Sequence, residues 1–293
     1  MRLALNGATI MRAPIEQDVE IAAACGYAAL EIWAGKLAAY TRTRPLGRLA
    51  EQMRAHGIVP WCINSIEDIT HRDAAGRRDL LDELRRTVAA ATTLGAPAIV
   101  VVPGAGHGLP RNAAVDDAVD VLRAMSDIAG DVALAFEFLG KRGCSVPTLD
   151  MANEIVARVD RANVGMVIDV FHFHAGGSRI ADLRRVPVDK LVVLHLNGCE
   201  DLPRDRLTDA HRLYPGEGVI PIGAVLRVLR ERGCDGVASV EIFRPQYWEQ
   251  DPHEVACTAY ARAVQVLADA GYTIERPGRA VQDGPYGWPA GRP

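Results

Sequence analysis

Short apolar runs alternate with longer amphipathic stretches along most of the chain. The apolar runs cover residues 2–8, 28–34, 58–65, 97–104, 132–139, 164–173, 191–197 and 236–243, and each predicts a strand. Between them a helical spacing of apolar positions predicts helices over 15–25, 46–56, 75–94, 113–128, 148–159, 222–232 and 252–270. A short helix is expected near 179–183, where the pattern is weakest. Runs such as Ala98-Ile99-Val100-Val101-Val102 and Leu191-Val192-Val193-Leu194 are apolar throughout and do not alternate. Strands covered on both faces read that way, which points to a parallel sheet wrapped by helices. Glycine follows several helical stretches, as in Cys25-Gly26, Leu94-Gly95 and Ala270-Gly271, where a left-handed residue ends a helix.

Eight strands alternating with helices predict an α/β fold, a single-domain TIM (β/α)8 barrel over residues 1–275. A doubly wound open sheet is the rival, but no G-x-G-x-x-G follows the first strand. Residues 276–293 change character: eight of the eighteen are Gly or Pro, which predicts an extended or disordered C-terminal tail.

Composition narrows the function classes. A net charge of −4 argues against a nucleic-acid binder, and no stretch approaches the ~18 apolar residues of a membrane span. The N-terminal apolar run is too short for a signal peptide, so a cytoplasmic protein is expected. Six scattered cysteines with no C-x-x-C pair predict reduced thiols that pack as small apolar residues.

Active sites of such barrels form at the C-terminal ends of the strands. The last four strands carry Glu137, Asp169, His195 and Glu241 there, each inside an otherwise apolar run. One such residue is commonly satisfied by an arginine or the backbone. Three buried carboxylates on neighbouring strands call for a cation, because an unpaired buried charge costs several kcal/mol. Three carboxylates and one imidazole form an oxygen-rich site for one divalent metal ion, Mn2+ or Zn2+ foremost, with Mg2+ or Co2+ as alternatives. A metal held this way polarises a carbonyl and acidifies the adjacent C–H, giving a cis-enediolate. Glu137 and Glu241, from strands on opposite sides of the substrate, are the acid/base candidates. His172 is expected just above the barrel mouth, contacting substrate and shuttling a proton between oxygens. Trp33 and Asn64, at the ends of the second and third strands, are candidate substrate contacts, against core packing for Trp33 and turn capping for Asn64. Arg244 is expected either to orient Glu241 or to bind substrate hydroxyls. His174 is assigned to loop or core. The glycine-rich stretch 103–108 lacks the lysine and Ser/Thr of a phosphate loop and is expected to be a flexible loop.

The chain resembles the xylose isomerase-like TIM-barrel superfamily of sugar isomerases and epimerases, and within it the inosose isomerases most. The residues carrying the likeness are Glu137-Phe138-Leu139-Gly140, Asn163 through His174, Glu200-Asp201-Leu202-Pro203, Leu207-Thr208-Asp209, Tyr214-Pro215-Gly216-Glu217-Gly218 and Ser239 through Pro245. The resemblance implies that Glu137, Asp169, His195 and Glu241 are the metal ligands and His172 a substrate-side histidine. It also implies that Arg212 reaches the site. The ketose 3-epimerases of this superfamily carry a glutamate where Gly143 stands and an arginine where Asp201 stands, which weakens the epimerase reading. Endonuclease IV needs histidines where Asn64 and Pro103-Gly104 stand; Asp209 and His211 match only part of its cluster. Trp33 is foreign to the inosose isomerase pattern.

Three functions are therefore carried forward: an isomerase or epimerase of a keto-cyclitol or ketose, a lyase or C-glycoside-cleaving subunit on the same scaffold, and a non-catalytic sugar-binding barrel. The expected partner is a small sugar or cyclitol, with no nucleic acid and no membrane; a homo-oligomer is compatible with each.

Overall fold

The computed structural model describes residues 1–275; the expectation for the 276–293 tail lies outside them. Eight parallel strands close a barrel: β1 (Arg2–Asn6), β2 (Ala29–Trp33), β3 (Val59–Ile66), β4 (Ala98–Val101), β5 (Ala133–Glu137), β6 (Val164–Asp169), β7 (Leu191–Leu196) and β10 (Val237–Val240). They follow chain order around the ring, and β1 pairs with β10 to close it. A two-stranded antiparallel hairpin, β8 (Gly198–Cys199) and β9 (Arg212–Leu213), stands after β7. The helices are α1 (Ile15–Cys25), α2 (Ala34–Thr41), α3 (Leu46–Ala55), α4 (Ala74–Leu94), α5 (Arg111–Ala129) and α6 (Leu149–Val159). They continue with α7 (Val170–Ala175), α8 (Ile180–Leu183), α9 (Ile222–Glu231), α10 (Pro245–Trp248) and α11 (Pro252–Asp269). No helix among the described residues is long and apolar enough to cross a membrane.

Two apolar cores hold the barrel. The larger lies between strands and helices; the smaller fills the interior with Ala4, Ala29, Cys62, Ala98, Ala133, Ala135, Val167 and Val193. These interior positions set which later residues also point inward, because side chains alternate along a strand. Glu137 follows Ala135 by two, and Asp169 follows Val167 by two. His195 is in register with Asp169 and Ser239, and Glu241 is two past Ser239. The same parity carries Asn6, Glu31 and Asn64 inward, since Asn6 pairs with Glu31, Glu31 with Cys62, and Asn64 with Val100. Small residues fill the lower interior, and polar ones crown it.

The structure departs from the sequence expectation in several respects. The sixth strand ends at Asp169 rather than continuing to 173, and Val170 opens a helix. Asp169 causes the break: its carboxylate accepts the Phe171 and His172 amides at 2.6 and 3.2 Å, an N-cap. Helix α2 lies in a stretch to which no element was assigned, and buries Leu37, Tyr40 and the stem of Lys36. The glycine-rich loop is tied down: Gly106 donates to the Gly143 carbonyl at 2.7 Å, Gly104 to the Thr70 hydroxyl at 2.9 Å, and Ala105 bridges Cys144. Finally, the thiols are not all reduced, because Cys25 and Cys257 form a disulfide. They are 232 residues apart, and meet because barrel closure sets the first helix beside the last.

Candidate active site

At the C-terminal mouth of the barrel, one ligand atom from each of Glu137, Asp169, His195 and Glu241 lies within 4.8 Å of the other three, all buried. His195 is the hub. Its Nδ1 faces Glu241 Oε2 at 3.1 Å, Glu137 Oε1 at 3.2 Å and Asp169 Oδ2 at 3.7 Å. Its Nε2 lies 3.0 Å from Glu31 Oε1. The ring thus presents one nitrogen to the three carboxylates and the other to a fourth, completely buried one. A carboxylate behind a metal-binding histidine fixes the tautomer that leaves the front nitrogen free to ligate.

Sequence reasoning missed Glu31, although the signal was the same, a charge inside the apolar run of the second strand. Asn6, on β1, was also missed. Its amide donates to Glu241 Oε1 at 3.0 Å. Asn64, a candidate substrate contact in the sequence, clamps carboxylates: its amide donates to Glu31 at 3.0 Å and to Glu241 at 2.9 Å. Asn197 donates to Asp169 Oδ1 at 3.2 Å. The Glu241 carboxylate is therefore held by two amides at one oxygen, with its second oxygen turned toward His195 and Arg212.

Arg212, fully buried, is brought in by the hairpin. One guanidinium nitrogen lies 2.5 Å from Asp169 Oδ2 and 3.1 Å from Glu241 Oε2; the other lies 2.9 Å from Asp209 Oδ1 and 3.2 Å from His172 Nε2. Phe171 and Phe243 face the guanidinium at 4.7 and 5.5 Å. Lys141, another residue not singled out in the sequence, pairs with Asp209 at 2.8 Å. His172 is buried at the first turn of α7, its Nδ1 without a hydrogen-bond partner. The structure does not bring Arg244 to Glu241. Its guanidinium pairs with Glu200 at 2.6 Å and donates to the Ala210 and Arg212 carbonyls, so it braces the hairpin. Trp33 packs edge-on against Phe243, centroids 5.2 Å apart, one residue removed from Arg212. His174 is partly exposed and outside the cluster.

The electrostatics show a shortage of positive charge. Five carboxylates (Glu31, Glu137, Asp169, Asp209, Glu241) meet the guanidinium of Arg212, the Lys141 ammonium and two imidazoles, His195 and His172. Burial pushes Glu241 up to about 8, against the opposing pull of His195 and Arg212, and it raises Glu137 as well. Burial works on Glu31 in the same direction, but the adjoining His195 outweighs it and holds that carboxyl at about 2. Asp169, despite its burial, is held well below the usual range by Arg212 first and His172 next. Burial, with Arg212 alongside, lowers His172 to about 4, so its imidazole is neutral near neutral pH. A pocket of oxygen donors and one imidazole, short of positive charge, fits a single divalent cation.

The sequence matches the family model described as xylose isomerase-like TIM barrel over residues 19–268. It is 35% identical over 280 residues to the inosose isomerase of Halalkalibacterium halodurans, covering 94% of this chain and 99% of that one. It is 36% identical over 273 residues to the inosose isomerase of Bacillus subtilis, covering 92% and 98%. Among solved structures, the zinc-bound crystal structure of the IolI protein superposes with a TM-score of 0.91 at 36% identity, covering 93% of this chain and all of that one.

Proposed function

Because the chain belongs to the xylose isomerase-like TIM barrel family, we propose that it is a divalent-metal-dependent isomerase of a keto-cyclitol, acting as an inosose isomerase. One observation carries the reading: two buried carboxylates, Glu137 from β5 and Glu241 after β10, flank the same His195 nitrogen at 3.2 and 3.1 Å. Glu137, Asp169, His195 and Glu241 would hold the cation, Zn2+ or Mn2+ by their donor chemistry. The bound ion supplies Lewis-acid polarisation of the substrate carbonyl.

The chain's own residues do the rest. One of the two glutamates takes the proton from the carbon beside the carbonyl, and a carboxylate returns a proton to the neighbouring carbon. The cis-enediolate of the substrate lies between these steps. Glu241 is the better placed base, because Asn6 and Asn64 pin one oxygen and leave the other facing His195 among the four proposed ligands. His172, neutral and with a free Nδ1, can pass a proton between substrate oxygens. Arg212 positions Asp169, Glu241 and His172 at once. Trp33 and Phe243 form an apolar wall next to it, suited to the C–H face of a ring.

The test is incubation of the metal-loaded protein with a panel of inososes and ketoses in deuterated water. Isomerised inosose carrying solvent deuterium is the expected product. Elimination of water or of an aglycone would replace the reading with a lyase, and the absence of exchange with every compound would replace it with a binding protein.

A further inference from the structure

A second cluster of ligating side chains lies on helices that supply none of the four proposed barrel ligands. Helix α1 ends at Cys25, and α11 carries His253 and Cys257 four residues apart, so both project from one helical face. One ligand atom from each of the three lies within 4.8 Å of the other two. The His253 ring nitrogens are 3.8 and 3.9 Å from the Cys257 sulfur. The two cysteines are half-buried and the histidine exposed. In the structure the two sulfurs are joined, their Cα atoms 4.9 Å apart.

We propose that Cys25, His253 and Cys257, once the disulfide is reduced, form a second metal site that takes one soft divalent cation of the zinc class. Two thiolates and an imidazole are the soft counterpart of the carboxylate-rich cluster in the barrel, so the two sites select differently. Three protein ligands on an open surface leave the fourth tetrahedral position to water. Zinc–sulfur bonds of about 2.3 Å put the two sulfurs roughly 3.8 Å apart, a separation reached by side-chain rotation with the backbone already adjacent.

Opening the site is a two-electron step. A small dithiol breaks the Cys25–Cys257 bond, giving up two electrons and two protons and leaving as a cyclic disulfide. The cation then displaces the two thiol protons. A small-molecule disulfide reverses this, taking up the two electrons and leaving as two thiols while the cation departs, since a disulfide sulfur is no thiolate ligand. The inference is independent of the proposed isomerase activity.

The experiment uses Co2+ on the full chain, because a thiolate-to-cobalt charge-transfer band in the near ultraviolet reports sulfur ligation, and the four proposed barrel ligands contain no sulfur. Dithiol-reduced protein, freed of reductant without air, should show the band. Oxidised protein and the Cys25→Ser and Cys257→Ser variants should lack it. His253→Ala should keep the band while weakening cobalt binding by about tenfold or more. The oxidised wild type guards against a folding defect in the variants, because it has the native sequence. No band in the reduced protein, or a band that survives in Cys257→Ser, overturns the proposal.

Discussion

Glu31 Oε1 lies 3.0 Å from His195 Nε2, so a carboxylate from the second strand stands directly behind the imidazole that faces the three acids of the mouth. Both side chains are fully buried. The pair accounts for a buried glutamate with no role in the ligand set, and it predicts that Glu31→Gln weakens metal binding. Removing such an orienting carboxylate typically costs 10- to 100-fold in metal affinity or activity. Calorimetric titration of the metal-free variant checks this; an affinity equal to wild type would separate Glu31 from the site.

Glu241→Gln keeps the shape of the side chain and the contact with Asn6, but removes the proton acceptor. Loss of a positioned acid or base costs about 10²- to 10⁴-fold in rate. Deuterium wash-in to substrate should fall by that factor even in samples shown to carry metal. Wash-in at the wild-type rate in metal-loaded Glu241→Gln would transfer the base role to another residue, with Glu137 the first to examine.

The legible part of this site was the part that breaks a pattern. Glu137, Asp169, His195 and Glu241 interrupt apolar runs, and a parallel barrel strand gives a charge in such a run no solvent to reach. Glu31 interrupts one too, but lies two residues before the strand end, behind Trp33, where a reading confined to strand ends passes over it. Arg212 sits in a two-residue strand of a hairpin, with no periodicity to mark it, and only the family resemblance pointed there. Arg244 stands three residues from Glu241, yet its partners are Glu200 and hairpin carbonyls, fixed by a fold-back that spacing does not encode. The Cys25–Cys257 bond depends on ring closure, which joins cysteines 232 residues apart and leaves no local pattern. The helix after Asp169 escaped because Val170-Phe171-His172-Phe173 is as apolar as a strand. The deciding interaction there is a side-chain cap.

Gly140 shows how closely the mouth is packed around His172. A Cβ there would lie 2.3 Å from the His172 carbonyl and 2.4 Å from the Gly176 amide nitrogen, both backbone atoms that cannot swing aside. Gly140→Ala should therefore destabilise the protein by about 1–3 kcal/mol, the usual cost of overpacking. It should also shift α7, so a lowered kcat is expected with it. A melting temperature and kcat both at wild-type values would mean that the loop after β5 has room to move.

Beside the barrel mouth, Lys36 donates to both oxygens of Asp18 at 2.7 and 2.9 Å and to the Ile10 carbonyl at 3.0 Å, all out of solvent. Burial pushes Asp18 up from 3.8 to about 7, only partly offset by Lys36, and burial likewise lowers Lys36. The sign follows from the raised carboxyl. Its protonated form contributes stability that is fully present below its ordinary value of 3.8 and lost as pH rises through about 7. The wild type should thus lose stability relative to an Asp18→Asn/Lys36→Met double variant between pH 4 and pH 7, as about these limits set the window. Lys36→Met alone strands a buried carboxyl and should cost about 3–5 kcal/mol at neutral pH, more than the double variant. Denaturant unfolding of the three proteins across this pH range measures both effects. A wild-type-minus-double difference that stays flat with pH would mean the pair remains ionised throughout, with water reaching Asp18.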